Sequence, residues 1–352
     1  MYFPYPQFHK FPLRTFFRKF SEADFKNKLA KIFPNYQIIF TNSGRSAFQL
    51  AIQSLNLENS EMLFPAYICD IFEPILKRFN IKPIYLDANP ETFHADFAGI
   101  ESKITPQTKS ILICHTYGLS VEMGRVLKIA EKYNLKIIED CAHVAPPIAP
   151  EKFGDALFFS FAKVFPVING GMLVAKKPVK MELPKYRTRL INIVKFLRLF
   201  PWWAGLSEKF RGSFEGKIRR ENSRGIQRAS KGCLRIVNYY LDNLEQRIAK
   251  RINLAKYFQE QLIKIGFGTQ KSDNNTFTYL SALVPKNTNR DELFNKLRKG
   301  GIFCSRIWHH PLYGGLPNAA EAAKCIINFP LQNWFTEKDI DKIIADILSS
   351  MS

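Results

Sequence analysis

Leu135 to Gly171 reads LKIIEDCAHVAPPIAPEKFGDALFFSFAKVFPVINGG. It opens on an apolar run, Leu135 to Ile138, which predicts a buried strand and ends on two acids, Glu139 and Asp140. A loop carrying Pro146, Pro147 and Pro150 follows. A second apolar run, Ala156 to Ala162, ends on one cation, Lys163, and Gly170-Gly171 come seven residues later. An acid and a lysine thus each stand just past the C-terminal end of a predicted buried strand. In open α/β sheets that rim is where ligands bind.

Such a pair can do specific chemistry. A lysine in an apolar, partly desolvated place has its pKa pushed down, because burial disfavours the charged form. As a neutral amine it forms Schiff bases with carbonyls. If the carbonyl belongs to pyridoxal phosphate (PLP), the ring nitrogen needs a carboxylate to stay protonated, so that the ring acts as an electron sink. Asp140 can be that carboxylate. Taken alone, Asp140 is also readable as a helix N-cap or turn residue, and Lys163 as a solvated turn lysine.

Outward from this stretch, the totals bound the answer. The chain has 352 residues, of which 46% are hydrophobic, enough for two domains or one large domain with an appendage. No apolar run reaches the length of a membrane span. The N-terminus, MYFPYPQFHKFPLRTFFRKF, lacks the continuous apolar core of a signal peptide, which predicts a cytoplasmic protein. Cys69, Cys114, Cys141, Cys233, Cys304 and Cys325 have no metal-ligand spacing, so free thiols in a reducing compartment are expected and no metal. The net charge is +20, and it is concentrated: Lys176 to Arg235 holds 17 Lys and Arg against 4 Asp and Glu.

Upstream, strands alternate with helices. Tyr36 to Phe40 predicts a strand, and TNSGRSAFQLAIQSL then turns into a helix with Ser43 as N-cap. The amides of Gly44, Arg45 and Ser46 would face off that helix N-terminus, which favours a phosphate. Further strands are predicted at Glu61–Phe64, Lys82–Leu86 and Lys109–Cys114, with helices at Glu22–Ile32, Phe72–Phe79 and Glu122–Tyr133. This alternation predicts a mostly parallel sheet covered on both faces. The strands before Lys163 and after Gly170 are too close in sequence for a crossover, so that pair is expected to be antiparallel. The pattern collects Ser43 to Ser46, Tyr67, His115, Tyr117, Asp140, His143, Ser160 and Lys163 at one rim.

With those residues in view, the chain resembles the DegT/StrS family of PLP-dependent sugar aminotransferases, a branch of the aspartate aminotransferase fold (fold type I). The matching pieces run in order: NSGRSA, FPAYIC, HTYGLSVEM, IIEDCAH, GDALFFSF with Lys163 and Gly170-Gly171, and KCIINFPLQNWFTEKDIDKII near the end. The resemblance covers roughly 40–177 and 229–348. It implies an α/β fold, with a mostly parallel seven-stranded sheet in a large domain and a smaller α+β C-terminal domain. The expected division is an arm at 1–35, the large PLP-binding domain at 36–228 with a basic insert at 178–227, and the small domain at 229–352.

The resemblance also implies roles. Lys163 would hold PLP and later move the proton, and Asp140 would bind the pyridine nitrogen. His143 would sit near the ring hydroxyl. Ser160 and the amides of Gly44, Arg45 and Ser46 would hold the phosphate. His115 and Tyr117 would line the substrate side. Apart from the resemblance, WHHPLYGG, with His309, reads as a substrate-contacting or plain surface loop. Three departures accompany it. Ser160 lies three residues before Lys163, where many members have five. The aromatic stacker position falls on Cys69, so Tyr67, another ring or the sulfur itself would cover the cofactor ring. The partner-subunit motif G-x-N-x-R is reduced to SRGIQRAS, which offers Arg228 and no asparagine.

The insert carries a stripe, Leu190, Ile193, Val194, Leu197 and Phe200, followed by Trp202-Trp203. It reads as a helix that docks on its own dimer or lids the site, or as a basic amphipathic segment, 187–203, touching an anionic membrane surface. Nucleic acid is not an expected partner. From Ala229 the sequence predicts a helical run through Ile263, strands at Thr276–Val284, Gly301–Ile307 and Ile326–Phe329, and a closing helix at Glu337–Leu348. The function expected is amino transfer from an amino acid, typically glutamate, to a nucleotide-linked keto sugar, by a homodimer. The alternatives are a PLP enzyme of this fold acting on another carbonyl, and a weakly catalytic binding or regulatory module at a membrane.

Overall fold

The computed structural model describes residues 15, 19–145, 153–187, 225–271 and 273–351. The helical stripe of the insert, Trp202-Trp203 and the three-proline loop lie outside them. Strands β1 (Gln37–Thr41), β2 (Glu61–Pro65), β3 (Lys82–Leu86), β4 (Thr108–Cys114), β5 (Lys136–Asp140), β6 (Ala156–Ser160) and β7 (Gly171–Ala175) form one sheet. Their order is β1-β7-β6-β5-β4-β2-β3. Strands β3, β2, β4, β5 and β6 run parallel, while β7 is antiparallel to both β6 and β1. The tight β6–β7 connection predicted this reversal. Because β7 alone runs backwards, the ends of β1, β5 and β6 all emerge at one rim.

Alternation along the strands sorts the core. Leu112, Ile138, Phe158 and Leu173 face the helix α2 (Gly44–Leu55) together with Phe48, Ile52 and Phe72. On the other face, Ile111, Ile113 and Ile137 pack with Val126 and Ile129 of helix α4 (Met123–Lys132). Leu157, Phe159, Met172 and Val174 pack on that face with Phe25 and Leu29 of helix α1 (Glu22–Ala30). Such two-sided burial is why the strands read as near-continuous apolar runs.

Helix Lys231–Leu241, which the sequence assigns to the small domain, packs on the large one: its Cys233, Leu234 and Val237 join the Phe25–Phe159 cluster. The chain breaks between Leu241 and Leu244, and a 21-residue helix, Leu244–Lys264, carries it away. The small domain proper has its own core around Phe258, Phe329 and Ile340. Its sheet is β8 (Gly268–Thr269), β9 (Leu280–Leu283) and β10 (Ile326–Phe329), ordered β10-β9-β8 and antiparallel.

Two predicted strands are corrected. Thr276–Val284 shrinks to β9, because Thr276 and Tyr279 spend their amides on Gly118 and Tyr117 across the domain boundary. Gly301–Ile307 is no strand. Only isolated bridge residues, Ile302 and Ser305, form there, Ser305 pairing with Asn328, and the Asn328 side chain takes the Ile307 amide at 2.6 Å. An unpredicted helix, Pro317–Cys325, follows. No helix among the described residues is long and apolar enough to cross a membrane.

Candidate active site

Residue by residue, the rim is assembled from strand ends. Ser43 closes β1 and caps α2, its hydroxyl accepting the Ser46 amide at 3.2 Å and lying 3.1 Å from the Ser46 hydroxyl. That cap corrects one expectation, since the Ser46 amide is engaged inside the turn. The amides of Gly44 and Arg45 are the first-turn donors that precede the intrahelical ladder and lie at the positive end of the dipole. Gly44 sits against Ser160: a Cβ on it would come 3.0 Å from the Ser160 Cβ. Gly171 is required for a similar reason, because its Cβ would meet the Gly44 amide nitrogen at 2.6 Å. Strand β7 therefore approaches the turn backbone to backbone, and Ser160 borders the turn despite its shortened spacing from Lys163.

Asp140 ends β5 and is 5% exposed. Its Oδ1 accepts the Ala142 amide at 2.8 Å, and the Cys114 thiol lies 3.9 Å from Oδ2. Burial lifts its carboxyl to about 6, opposed first by the Ala142 hydrogen bond and then by the Lys163 charge. Lys163 sits on the short helical turn Phe161–Val164 that leaves β6, and its charge acts on Asp140, His143 and Cys69 alike. The amine therefore stands near enough to the carboxylate, the imidazole and the thiol for its charge to act on all three.

His143 is buried, and burial together with the Lys163 charge holds its pKa well below the usual imidazole range. Its Nδ1 accepts the Tyr117 amide at 3.2 Å, so the proton of the neutral ring sits on Nε2. Cys69 is half-buried, its thiol pushed up by burial, and it influences Arg45, whose guanidinium burial pulls down.

The remaining predicted residues are placed less uniformly. His115 is corrected: it is 1% exposed, with Nε2 3.0 Å from Glu139 Oε2 and Nδ1 accepting the Val121 amide at 3.0 Å. Both nitrogens are engaged internally, so it offers none to a substrate. Nδ1 faces a backbone donor, so Nε2 carries the hydrogen. With Glu139 and Cys141 it forms a cluster of potential ligand atoms within 4.8 Å, but its Nε2 lone pair is not available to a metal.

Tyr117 has φ +60° and is fully buried; its hydroxyl is 2.8 Å from the Tyr67 hydroxyl and donates to the Ile307 carbonyl at 2.9 Å. Tyr67, also fully buried, faces Tyr117 edge-on. Neither tyrosine presents an open face, which corrects the expectation that Tyr67 covers a ring and Tyr117 lines a substrate. Arg228 is exposed and bonds Glu22 of α1 at 2.8 Å, so it is not brought to the site of its own chain. His309 lies 2.9 Å from the Arg306 carbonyl in the loop beside the site, and burial lowers its pKa. Sequence reasoning did not assign a role to Trp308. Its ring lies nearly parallel to Tyr117 at 5.0 Å and to His143 at 5.1 Å.

These residues fit a phosphorylated pyridine aldehyde. A glycine-tight anion turn and a buried carboxylate that accepts one backbone amide stand on neighbouring strand ends, with a lysine whose charge reaches that carboxylate and an imidazole that carries its hydrogen on Nε2. The comparison that decides the matter is a family model for the DegT/DnrJ/EryC1/StrS aminotransferase family, which matches residues 18–189 and 231–348. The chain belongs to this family.

As a DegT-family member it is a PLP-dependent aminotransferase. A dTDP-4-amino-4,6-dideoxy-D-glucose transaminase of Shigella dysenteriae is 26% identical, over 92% of this chain and 88% of the relative. A GDP-perosamine synthase of Caulobacter vibrioides is 25% identical, over 87% of this chain and 84% of the relative. The crystal structure of NtdA from Bacillus subtilis, with its cofactor PMP bound, superposes with a TM-score of 0.69 at 21% identity, covering 94% of this chain and 76% of the other.

Proposed function

We propose that the protein moves an amino group from an amino acid, glutamate by preference, to a keto sugar carried on a nucleotide. The observation that carries this reading is Lys163 on the turn that leaves β6, its charge acting on buried Asp140 and His143, with Ser160 of the same strand end against the Ser43–Ser46 turn, and with relatives named for dTDP- and GDP-linked amino sugars.

In this reading the Gly44 and Arg45 amides, the Ser46 hydroxyl and Ser160 bind the phosphate. Asp140 holds the proton at the pyridine nitrogen, which relieves its buried and poorly compensated carboxylate. His143 donates its Nε2 hydrogen to the ring hydroxyl oxygen. Cys69, at the position that the resemblance gives to an aromatic stacker, would pack its sulfur on the ring. When bound, PLP would supply an electron sink. Lys163 would be the base that takes the proton from the donor Cα and returns one in the sugar half-reaction, so the two substrates would alternate in a ping-pong cycle. A homodimer is the assembly this reading includes, with Arg228 the residue available to a partner.

The test is spectroscopic. Purified protein with added PLP is expected to show a visible absorption band that glutamate bleaches and that a panel of dTDP-, UDP- and GDP-linked keto sugars restores. The Lys163→Ala variant is expected to lack the bleachable band. A wild-type protein with no such band would refute the reading. Sedimentation at micromolar concentration checks the dimer.

A further inference from the structure

We infer that Trp308 is a specificity-determining contact for the sugar acceptor, its indole N–H donating to a neutral hydroxyl or carbonyl oxygen of that substrate. The inference rests on the sugar-aminotransferase reading above. Trp308 belongs to a small-domain loop that is fastened to the large domain on both sides. Before it, the Ile307 carbonyl takes the Tyr117 hydroxyl at 2.9 Å; after it, the Leu312 amide donates to the Ala66 carbonyl at 2.9 Å.

Between these anchors the Trp308 backbone is held at φ +60°, a left-handed conformation that a bulky side chain seldom adopts unless its surroundings impose it. The conformation lays the indole over Tyr117 and His143, each at an interplanar angle of 23°, and edge-on to Tyr67 at 5.5 Å. His143 is one of the groups on which the Lys163 charge acts, so the indole borders the reacting pocket.

The decisive feature is Nε1. It is buried, and among the described residues it has no hydrogen-bond partner. An indole nitrogen can only donate, and a buried donor left unmatched is costly, so such groups point to an acceptor that arrives with a ligand. The cofactor's polar groups already have counterparts in the phosphate turn, Asp140 and His143. The unmatched donor is therefore left for a substrate. An amino acid's carboxylate is best met by a cation. A neutral N–H suits the hydroxyl and carbonyl oxygens of a sugar.

The experiment separates the two half-reactions. Stopped-flow absorbance follows glutamate bleaching of the PLP-loaded enzyme, then recovery on mixing with whichever dTDP-, UDP- or GDP-linked keto sugar wild type accepts from the panel. Two variants are compared: Trp308→Phe, and benzothienylalanine at position 308, which keeps the two-ring shape and lacks the N–H. Both are expected to weaken the sugar half-reaction about tenfold more than the glutamate half-reaction, the scale of one lost hydrogen bond.

Calorimetric titration of the keto sugar into PMP-loaded Lys163→Ala, with and without Trp308→Phe, is expected to show the same tenfold loss in Kd without turnover. Equal losses in both half-reactions, or an unchanged sugar Kd, would overturn the inference while leaving the enzyme reading intact. If wild type is bleached by glutamate and restored by no sugar, the acceptor reading falls, and this inference with it.

Discussion

Glu139 and Asp140 are neighbours in sequence, both acidic, and 0% and 5% exposed, yet they lead opposite lives. Successive strand residues point to opposite faces, so the tip of β5 sends one carboxylate to each side. Glu139 is fully provided for: Oε1 accepts the Gly154 amide and Oε2 lies 3.0 Å from His115 Nε2. Asp140 has one amide, from Ala142, a thiol at 3.9 Å, and the charge of Lys163. Equal burial with unequal satisfaction separates a carboxylate that holds the fold from the one proposed above to meet the cofactor.

The contrast can be broken most forcefully by kinetics. Asp140→Ala is expected to lower the rate of glutamate bleaching by about 10³-fold, within the range for loss of a positioned proton-holding group. Glu139→Gln is expected to keep that rate within about threefold in the folded fraction. A reversal, with Glu139→Gln the dead enzyme, would dissolve the distinction.

The next effect is in stability against pH for the protein without PLP. Burial raises the Asp140 carboxyl from 3.8 to about 6. The folded state therefore holds this proton more tightly than the unfolded chain. Its contribution to stability is complete below 3.8 and is lost as pH rises through about 6. The loss is about 3 kcal/mol, and Asp140→Asn is expected to abolish it, so the variant gains on wild type between those limits and then runs parallel. Urea denaturation from about pH 3 to about pH 7, roughly one unit beyond each pKa, reads this. Because His94 and His143, held below 6.5 by burial, add a rise of their own to both curves, the reading is the difference between variant and wild type, and a difference that stays flat through the window would count against a buried, poorly compensated Asp140.

Glu139→Gln sharpens the other side. The glutamine amide would confront either the Gly154 amide or the His115 N–H with a second donor. A stability loss of about 2 kcal/mol is expected at pH 7, the cost of one buried unmatched group. A third carboxylate sets the bottom of the scale. Asp87, half-buried at the end of β3, accepts the Ala319 amide at 2.8 Å and the Asn318 amide at 3.2 Å, capping helix Pro317–Cys325. Asp87→Ala is expected to cost about 1 kcal/mol, as cap removals do, with the cofactor band retained.

The residues that strand ends deliver were legible from the pattern alone. Ser43 to Ser46, Asp140, Ser160 and Lys163 each follow an apolar run, and where such a run ends is a local property of the chain. The faces of the sheet and the β7 reversal were readable for the same reason: alternation and loop length are local quantities. His115 also follows a strand, and the pattern placed it with the others. Its inward turn depends on Val121 and Glu139, which become its neighbours only once β4 and β5 pair.

The sequence by itself therefore determined the α/β architecture, the rim and its acid–amine pair, because apolar period, turn chemistry and strand length act over a few residues. Only the tertiary structure decided what crosses the domain boundary. Helix Pro317–Cys325 has no side-chain cap of its own and takes one from Asp87, 232 residues from Ala319. The predicted strand before Trp308 yields to an asparagine side chain from β10. Trp308 reaches His143 only because Tyr117 and Ala66 of the large domain hold its loop in place. Each depends on hydrogen-bond partners that are far apart along the chain and meet only after both cores have formed.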